Sequence, residues 1–287
     1  VVGLGSYPAG VGVMGAGAWL SPSAWALLGG QLGHLGLKLV LSFTVLPGHA
    51  PRLRLEPAAR RELFDFGKWI LPSTALGLVA AQGDRFFLGL HLGAAALGVF
   101  AVAQRLTQTG LQVFLRLTQS ILLPALGEAW RARPEALRLE ARRLRRWLDL
   151  AFLGGCGLLA GGGPIVVALL YDARYQEAGW MLQILAARTA LVMLAEASQT
   201  ALFARGEAQA AFRRSLARAV ALIVLLPAGH LLLGVPGLLG GLVLSELPSL
   251  LVLLVAERAA GLFDPRVLLR AGLALAAGAA VGGALQV

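Results

Sequence analysis

Four arginines, Arg85, Arg105, Arg116 and Arg188, lie inside long apolar stretches of a 287-residue chain, and so do the carboxylates Asp84, Glu196 and Glu246. At the centre of a bilayer one charged side chain costs roughly 2.5–3.5 kcal/mol on insertion scales, so several close together imply mutual pairing or a water-filled interior. A guanidinium stays protonated when partly buried, and its planar fork matches anionic oxygens in pairs. Arg and Lys within the apolar stretches outnumber Asp84, Glu196 and Glu246, which leaves net positive charge and points to a cationic cavity, as in a transporter. A blander reading stays open for each residue. Asp84 pairs with one of the arginines, and Glu196 with Arg188 or another, only to neutralise charge and hold helices in register. Glu246, two residues before Pro248, either accepts protons in an ion-coupled protein or hydrogen-bonds within a helix bundle, and the structural role is preferred.

The elements that must hold these residues are membrane helices. Hydrophobic residues make up 57% of the chain and charged residues 14%, and the mean hydropathy is +0.75. That balance lies far from a soluble globular domain. Apolar segments of about 20 residues, each able to cross a hydrocarbon core of roughly 30 Å as a helix, recur along the chain. The expected fold class is therefore all-α and polytopic. Complete spans are expected at Trp25 to Leu46, Lys68 to about Leu90, Leu97 to Leu126, Trp147 to Leu170, Met181 to Phe203, Ser215 to Leu233 and Gly237 to Ala256. In the first, Gln31, His34 and Lys38 share one helical face, and Lys38 is close enough to the end to snorkel to the interface. In the third, Gln104, Gln108, Gln112, Arg116 and Gln119 recur at spacings of four, four, four and three, with Arg105 beside them. They draw a polar stripe along an apolar helix. Gly161, Gly162, Gly163 and Pro164 should bend or unwind the fourth, and Pro124 should mark the exit of the third.

The formal charge of +10 would suggest nucleic acid in a soluble protein. Here the basic residues outside the spans fall in four connections, after Leu46, Leu126, Phe203 and Ala256, and the intervening connections hold only Arg174. By the positive-inside rule the four are cytoplasmic and the turns near Ser21, Gly93, Asp172 and Val235 are on the outer side. No nucleic-acid partner is expected. Within the basic connections, residues 62–66 and the Trp130 to Arg146 stretch read as interfacial helices, and the Arg131 to Arg146 cluster as topogenic and attracted to anionic lipid heads. Cys156, the only cysteine, reads as packing. No connection is long enough for a catalytic domain, and no Walker, metal or Ser/His/Asp constellation occurs, so neither an enzyme nor a cofactor is expected. The chain begins at Val1 and stops within an apolar run, which suggests a piece of a longer protein.

Phe66, Gly67, Lys68, Trp69, Ser73, Gln82, Gly83, Asp84, Arg85, Leu88 and Gly89, followed by Leu97, Gly98, Val99, Phe100 and Ala103, resemble the opening of the second lobe of bacterial polysaccharide flippases. These are the O-antigen (Wzx-type) and exopolysaccharide translocators of the multidrug/oligosaccharidyl-lipid/polysaccharide exporter superfamily. Leu170, Tyr171, Asp172, Arg174 and Tyr175, then Gly179, Met181, Leu182, Gln183, Ile184 and Leu185, look like their later loop and helix. The resemblance implies two six-helix lobes around a cationic cavity. It divides this chain into the last helices of a truncated first lobe (1–46), a cytoplasmic inter-lobe linker (47–67), a six-helix second lobe (68–258), and a cytoplasmic turn with the start of a further helix (259–287).

It also implies a multi-pass protein of the bacterial inner membrane that flips an undecaprenyl-pyrophosphate-linked oligosaccharide by alternating access, for cell-surface polysaccharide. Arg85, Arg105, Arg116 and Arg188 would then hold pyrophosphate, and Gln82, Gln104, Gln108 and Gln112 sugar hydroxyls. Asp84, Glu196 and Glu246 would pair charges or couple ions. Expected partners are the lipid-linked oligosaccharide, membrane lipids, a polysaccharide polymerase and a chain-length regulator. Alternatives are a peptidoglycan lipid-precursor flippase, a drug exporter of the same superfamily, or a non-transporting scaffold in polysaccharide assembly.

Overall fold

A computed structural model describes residues 32, 33, 35, 36, 39, 57–91, 93–132 and 137–285. The chain divides into two compact units, 1–59 and 60–287, and the second holds nearly all the described residues. Every regular element among them is helical, as an all-α membrane protein requires. The helices are α1 (Pro57–His91), α2 (Ala94–Leu117), α3 (Leu123–Ala132), α4 (Leu137–Leu170), α5 (Ala178–Ala204), α6 (Ala208–Leu244), α7 (Glu246–Ala259) and α8 (Pro265–Ala284). Stretches with the length and apolarity of membrane spans are Ala141–Leu170, Ala178–Ala204, Ala208–Ala259 and Pro265–Ala284. The third of these passes twice. Gly234, at φ 63°, breaks α6, and Gly229 then lies against Gly237 and Gly241 against Leu225, so the arms 208–233 and 235–244 run antiparallel. Only glycine takes that φ without strain.

Several boundaries differ from those expected. Residues 62–66 are not a separate interfacial helix; they belong to the first turns of α1. Pro124 does not end the third span, because a π-helical turn at Thr118–Leu122 joins α2 to α3 and the helix continues to Ala132. A wider turn absorbs a proline that an unbroken α-helix would reject, since it relaxes the local hydrogen-bond ladder. α2 is not among the qualifying spans, because Gln104, Arg105, Gln108 and Gln112 lower its apolarity. The expected span at Trp25 to Leu46, with its His34 and Lys38, lies outside the described residues.

α5 is the central helix, packed by α2, α4, α6 and α7. Its buried positions lie all round, many of them alanine, including Ala186, Ala190, Ala195, Ala197 and Ala201. A helix surrounded on every side is apolar all round rather than on one stripe. Two apolar clusters stack along it: one around Leu182, Leu185, Leu226 and Leu239, the other around Phe114, Leu153, Met193 and Leu253. Cys156 belongs to the second, its thiol 3.8 Å from the Met193 sulfur. α1 runs parallel to the first arm of α6, with Trp69 against Phe212 and Ser73 bonded to Ser215 at 3.0 Å.

The glycine run of α4 neither breaks nor unwinds it; the helix is continuous from Leu137 to Leu170. Those glycines bring α8 into backbone contact. A Cβ on Gly161 would meet the Ala279 carbonyl oxygen at 2.1 Å, one on Gly157 the Leu275 carbonyl oxygen at 2.3 Å, and one on Gly278 the Gly154 carbonyl oxygen at 2.3 Å. Gly157/Gly161 and Gly278/Gly282 are both G-x-x-x-G pairs. In lipid no hydrophobic force joins two apolar helices, so close packing through small residues must do it. Asp264 starts α8 by accepting the Arg266 N–H at 3.1 Å, with Pro265 at the first helical position.

Replacing Gly161 by leucine is expected to undock α8 from α4 and lower the thermal midpoint in detergent. The cost is about 1–3 kcal/mol or more, the range of overpacking. Gly272→Leu, where a Cβ meets nothing within 4 Å, should leave the midpoint unchanged. Equal effects of the two, read by thermal unfolding, would refute the contact.

Candidate binding site

Between the two apolar clusters the core turns ionic. Arg188 stands on α5 between Leu185 of one cluster and Ala190 of the other, and Glu246 on α7 between Leu242 and Leu250. Glu246 is 1% exposed. Its Oε1 accepts from Arg188 Nε at 3.2 Å and lies 3.1 Å from Nε of Arg218 on α6. Its Oε2 is buried with no hydrogen-bond partner among the described residues. Two guanidinium groups thus share one carboxylate. The carboxylate opens α7, where the helix N-terminus also favours negative charge. Ser245, itself in right-handed helical φ/ψ, joins α6 to α7, and its hydroxyl bonds back to the Leu242 carbonyl at 2.7 Å.

One turn before Arg218, Arg214 pairs with Glu196 at 2.8 Å and donates to Gln199 at 2.7 Å. A third group lies at the basic end of the bundle. There Arg145 bonds Glu257 at 3.3 Å and lies 3.7 Å from Asp149, while Arg142 pairs with Asp264. These ties join α4, α7 and the start of α8 around a pocket that Ser198 also lines. Arg205 adds another tie, stacking over Trp130 at 4.8 Å and donating to the Ala260 carbonyl.

Of the arginines expected to form one cavity set, Arg188 stands on α5 and Arg105 and Arg116 on α2. Arg188 is half of a buried ion pair with Glu246, and Glu196 takes Arg214 rather than Arg188. Arg105, Gln112 and Arg116 are exposed on the second unit, while Gln104 and Gln108 are half-buried. Residues four apart drift about 40° around a helix at 3.6 residues per turn. Over three steps this carries the stripe from the edge of the packed face, marked by Ala103, Thr107 and Phe114, to the open face. Arg105 and Arg116 make no ion pair among the described residues. Gln82, Asp84 and Arg85 lie on α1, with side chains outside the described residues.

Two contributors escaped the sequence reading. Arg218 falls inside the expected sixth span but was given no role; α6 starts at Ala208, which places Arg214 and Arg218 one turn apart inside it. Arg145 was grouped with a solvated basic cluster, but it is 6% exposed, whereas its neighbours Arg143 and Arg146 are exposed. The available signal was i, i+4 spacing: Arg145 with Asp149, and Arg214 with Arg218 facing Glu246 across the bundle.

Glu246→Gln is expected to remove the carboxylate that Arg188 and Arg218 share and to destabilise the protein by about 3–5 kcal/mol, the cost of breaking a buried pair. Glu196→Gln should cost less, since the Glu196 side chain is 27% exposed. Adding Arg218→Met to Glu246→Gln should recover part of the loss. Thermal unfolding in nanodiscs reads all three, and no recovery in the double variant would contradict the pairing.

Comparison with known proteins gives one match. A family model described as polysaccharide biosynthesis protein matches residues 6–179, which include α1 to α4. No curated protein and no solved structure matches the chain.

Proposed function

This chain belongs to the polysaccharide biosynthesis protein family, and from that premise we propose that it flips an undecaprenyl-pyrophosphate-linked oligosaccharide across the bacterial inner membrane. A multi-pass membrane protein of that family takes part in making or exporting polysaccharide. The finer reading rests on charge. A pyrophosphate cannot cross hydrocarbon unaided, so its carrier must offer positive charge and hydrogen bonds at mid-depth.

The observation that carries the reading is the exposed face of α2, where Arg105 and Arg116 make no ion pair among the described residues. Arg188 on α5 and Arg105 on α2 each stand about ten residues from the same end of the bundle, roughly 15 Å at 1.5 Å per residue. That is half of a hydrocarbon core of roughly 30 Å. Arg105 and Arg116 lie on an exposed face beside Gln104, Gln108 and Gln112. In this proposal that face fronts a water-filled cavity, Arg105 and Arg116 take the pyrophosphate, and the glutamines take sugar hydroxyls. Residues 68–258 act as the second of two lobes, which rock about the cavity to open it to one side at a time. The protein does no chemistry on its cargo; it lowers the cost of moving a charged headgroup. Glu246, held by two guanidinium groups, acts as a fixed counter-charge.

Translocation of a fluorescent undecaprenyl-pyrophosphate oligosaccharide in proteoliposomes, using the intact gene product, tests the proposal. An Arg105→Ala, Arg116→Ala double variant should fold normally, because both side chains are exposed, and should lose tenfold or more of the flipping rate. An unchanged rate would overturn the role of the α2 face.

A further inference from the structure

The chain has four histidines, and two of them, 139 positions apart in sequence, meet at the end of the bundle away from the basic connections. His91 ends α1, and His230 stands in the first arm of α6 just before the Gly234 reversal. Their ring centroids are 4.5 Å apart, with the planes at 66°. Phe87 stacks on His91 from the other side, at 4.2 Å.

The hydrogen bonds of the two rings are complementary. His91 Nδ1 lies 2.9 Å from the Phe87 carbonyl oxygen. A carbonyl oxygen only accepts, so Nδ1 carries the proton and Nε2 presents a lone pair. Histidines that bind metal are oriented this way, with the second nitrogen donating to a carbonyl or carboxylate. On His230, Nδ1 is buried with no hydrogen-bond partner among the described residues. A buried nitrogen without a partner is unfavourable, and a ligand that takes its lone pair removes the penalty.

We infer that His91 and His230 form a two-histidine site for a divalent transition-metal ion on the outer face, which staples the end of α1 to α6. Imidazole suits Zn²⁺, Ni²⁺ and Cu²⁺. With metal–nitrogen distances of about 2.0–2.1 Å, rings at this spacing subtend roughly 90° at a shared ion, as neighbouring ligands do in tetragonal Cu²⁺. Among the described residues no group of three or more His, Cys, Asp and Glu side chains gathers, so water completes the shell and the ion exchanges with the medium. His91 is exposed, which leaves the entry path open. No carboxylate pairs with either ring among the described residues, and Asp172 and Glu177 on the adjacent outer connection are both exposed. Toward the basic end α1 is tied to α6 by the Ser73 and Ser215 hydroxyls, so a metal at the other end would fix the two helices at both ends.

The test is Cu²⁺ titration of the full chain in nanodiscs, followed by electron paramagnetic resonance. One ion per chain with nitrogen hyperfine coupling from two imidazoles is expected. His91→Ala and His230→Gln should each weaken binding at least tenfold, while a His34→Ala, His49→Ala double variant should bind as the parent does. A parent spectrum with one imidazole or none would overturn the site whether or not the variants fold. So would unchanged affinity in a His91→Ala, His230→Gln double variant.

Discussion

The second unit depends on one compensated charge. Glu246, buried at the start of α7, holds Arg188 from α5 and Arg218 from α6, and so ties three helices at the level where the two apolar clusters meet. In a low-dielectric interior the carboxylate could not stay without cationic partners. The Oε1 oxygen serves both guanidinium groups.

Around that centre the protein uses two other devices suited to lipid. Glycine faces let α4 and α8 meet backbone to backbone, because side-chain burial gains nothing against an apolar solvent. At the basic end, Arg142, Arg145 and Arg205 fix helix ends with ion pairs, a stacked ring and a carbonyl. That end is held by charge and the opposite end by aromatic and imidazole contacts, so the two ends answer to different conditions.

Much of this was legible in the sequence, for a physical reason. Span length, the alternation of basic connections and the Gly234 reversal are local properties, and the described helices cover the expected spans from Lys68 to Ala256. Partner choice is not local. The stripe spacing on α2 was visible, but the drift that exposes Arg105 and Arg116 while half-burying Gln104 and Gln108 depends on where α5 packs. Gly161 to Gly163 read as a break, since glycine weakens an isolated helix; only the presence of α8 turns them into a contact. Arg145 looked like an interface charge because Glu257, which it bonds, lies 112 positions away. The family match agrees with the resemblance that Trp69, Asp84, Arg85 and their neighbours suggested.

The account stands or falls on water reaching the α2 face at mid-depth. The most direct measurement is the reactivity of single cysteines toward a charged, membrane-impermeant thiol reagent, in a Cys156→Ala background. Cysteine at 105 or 112 should react rapidly, because only hydrated thiols form the thiolate, and cysteine at the exposed apolar position 223 should not. Equal inertness at 105, 112 and 223 would place the arginine face in lipid and contradict the cavity.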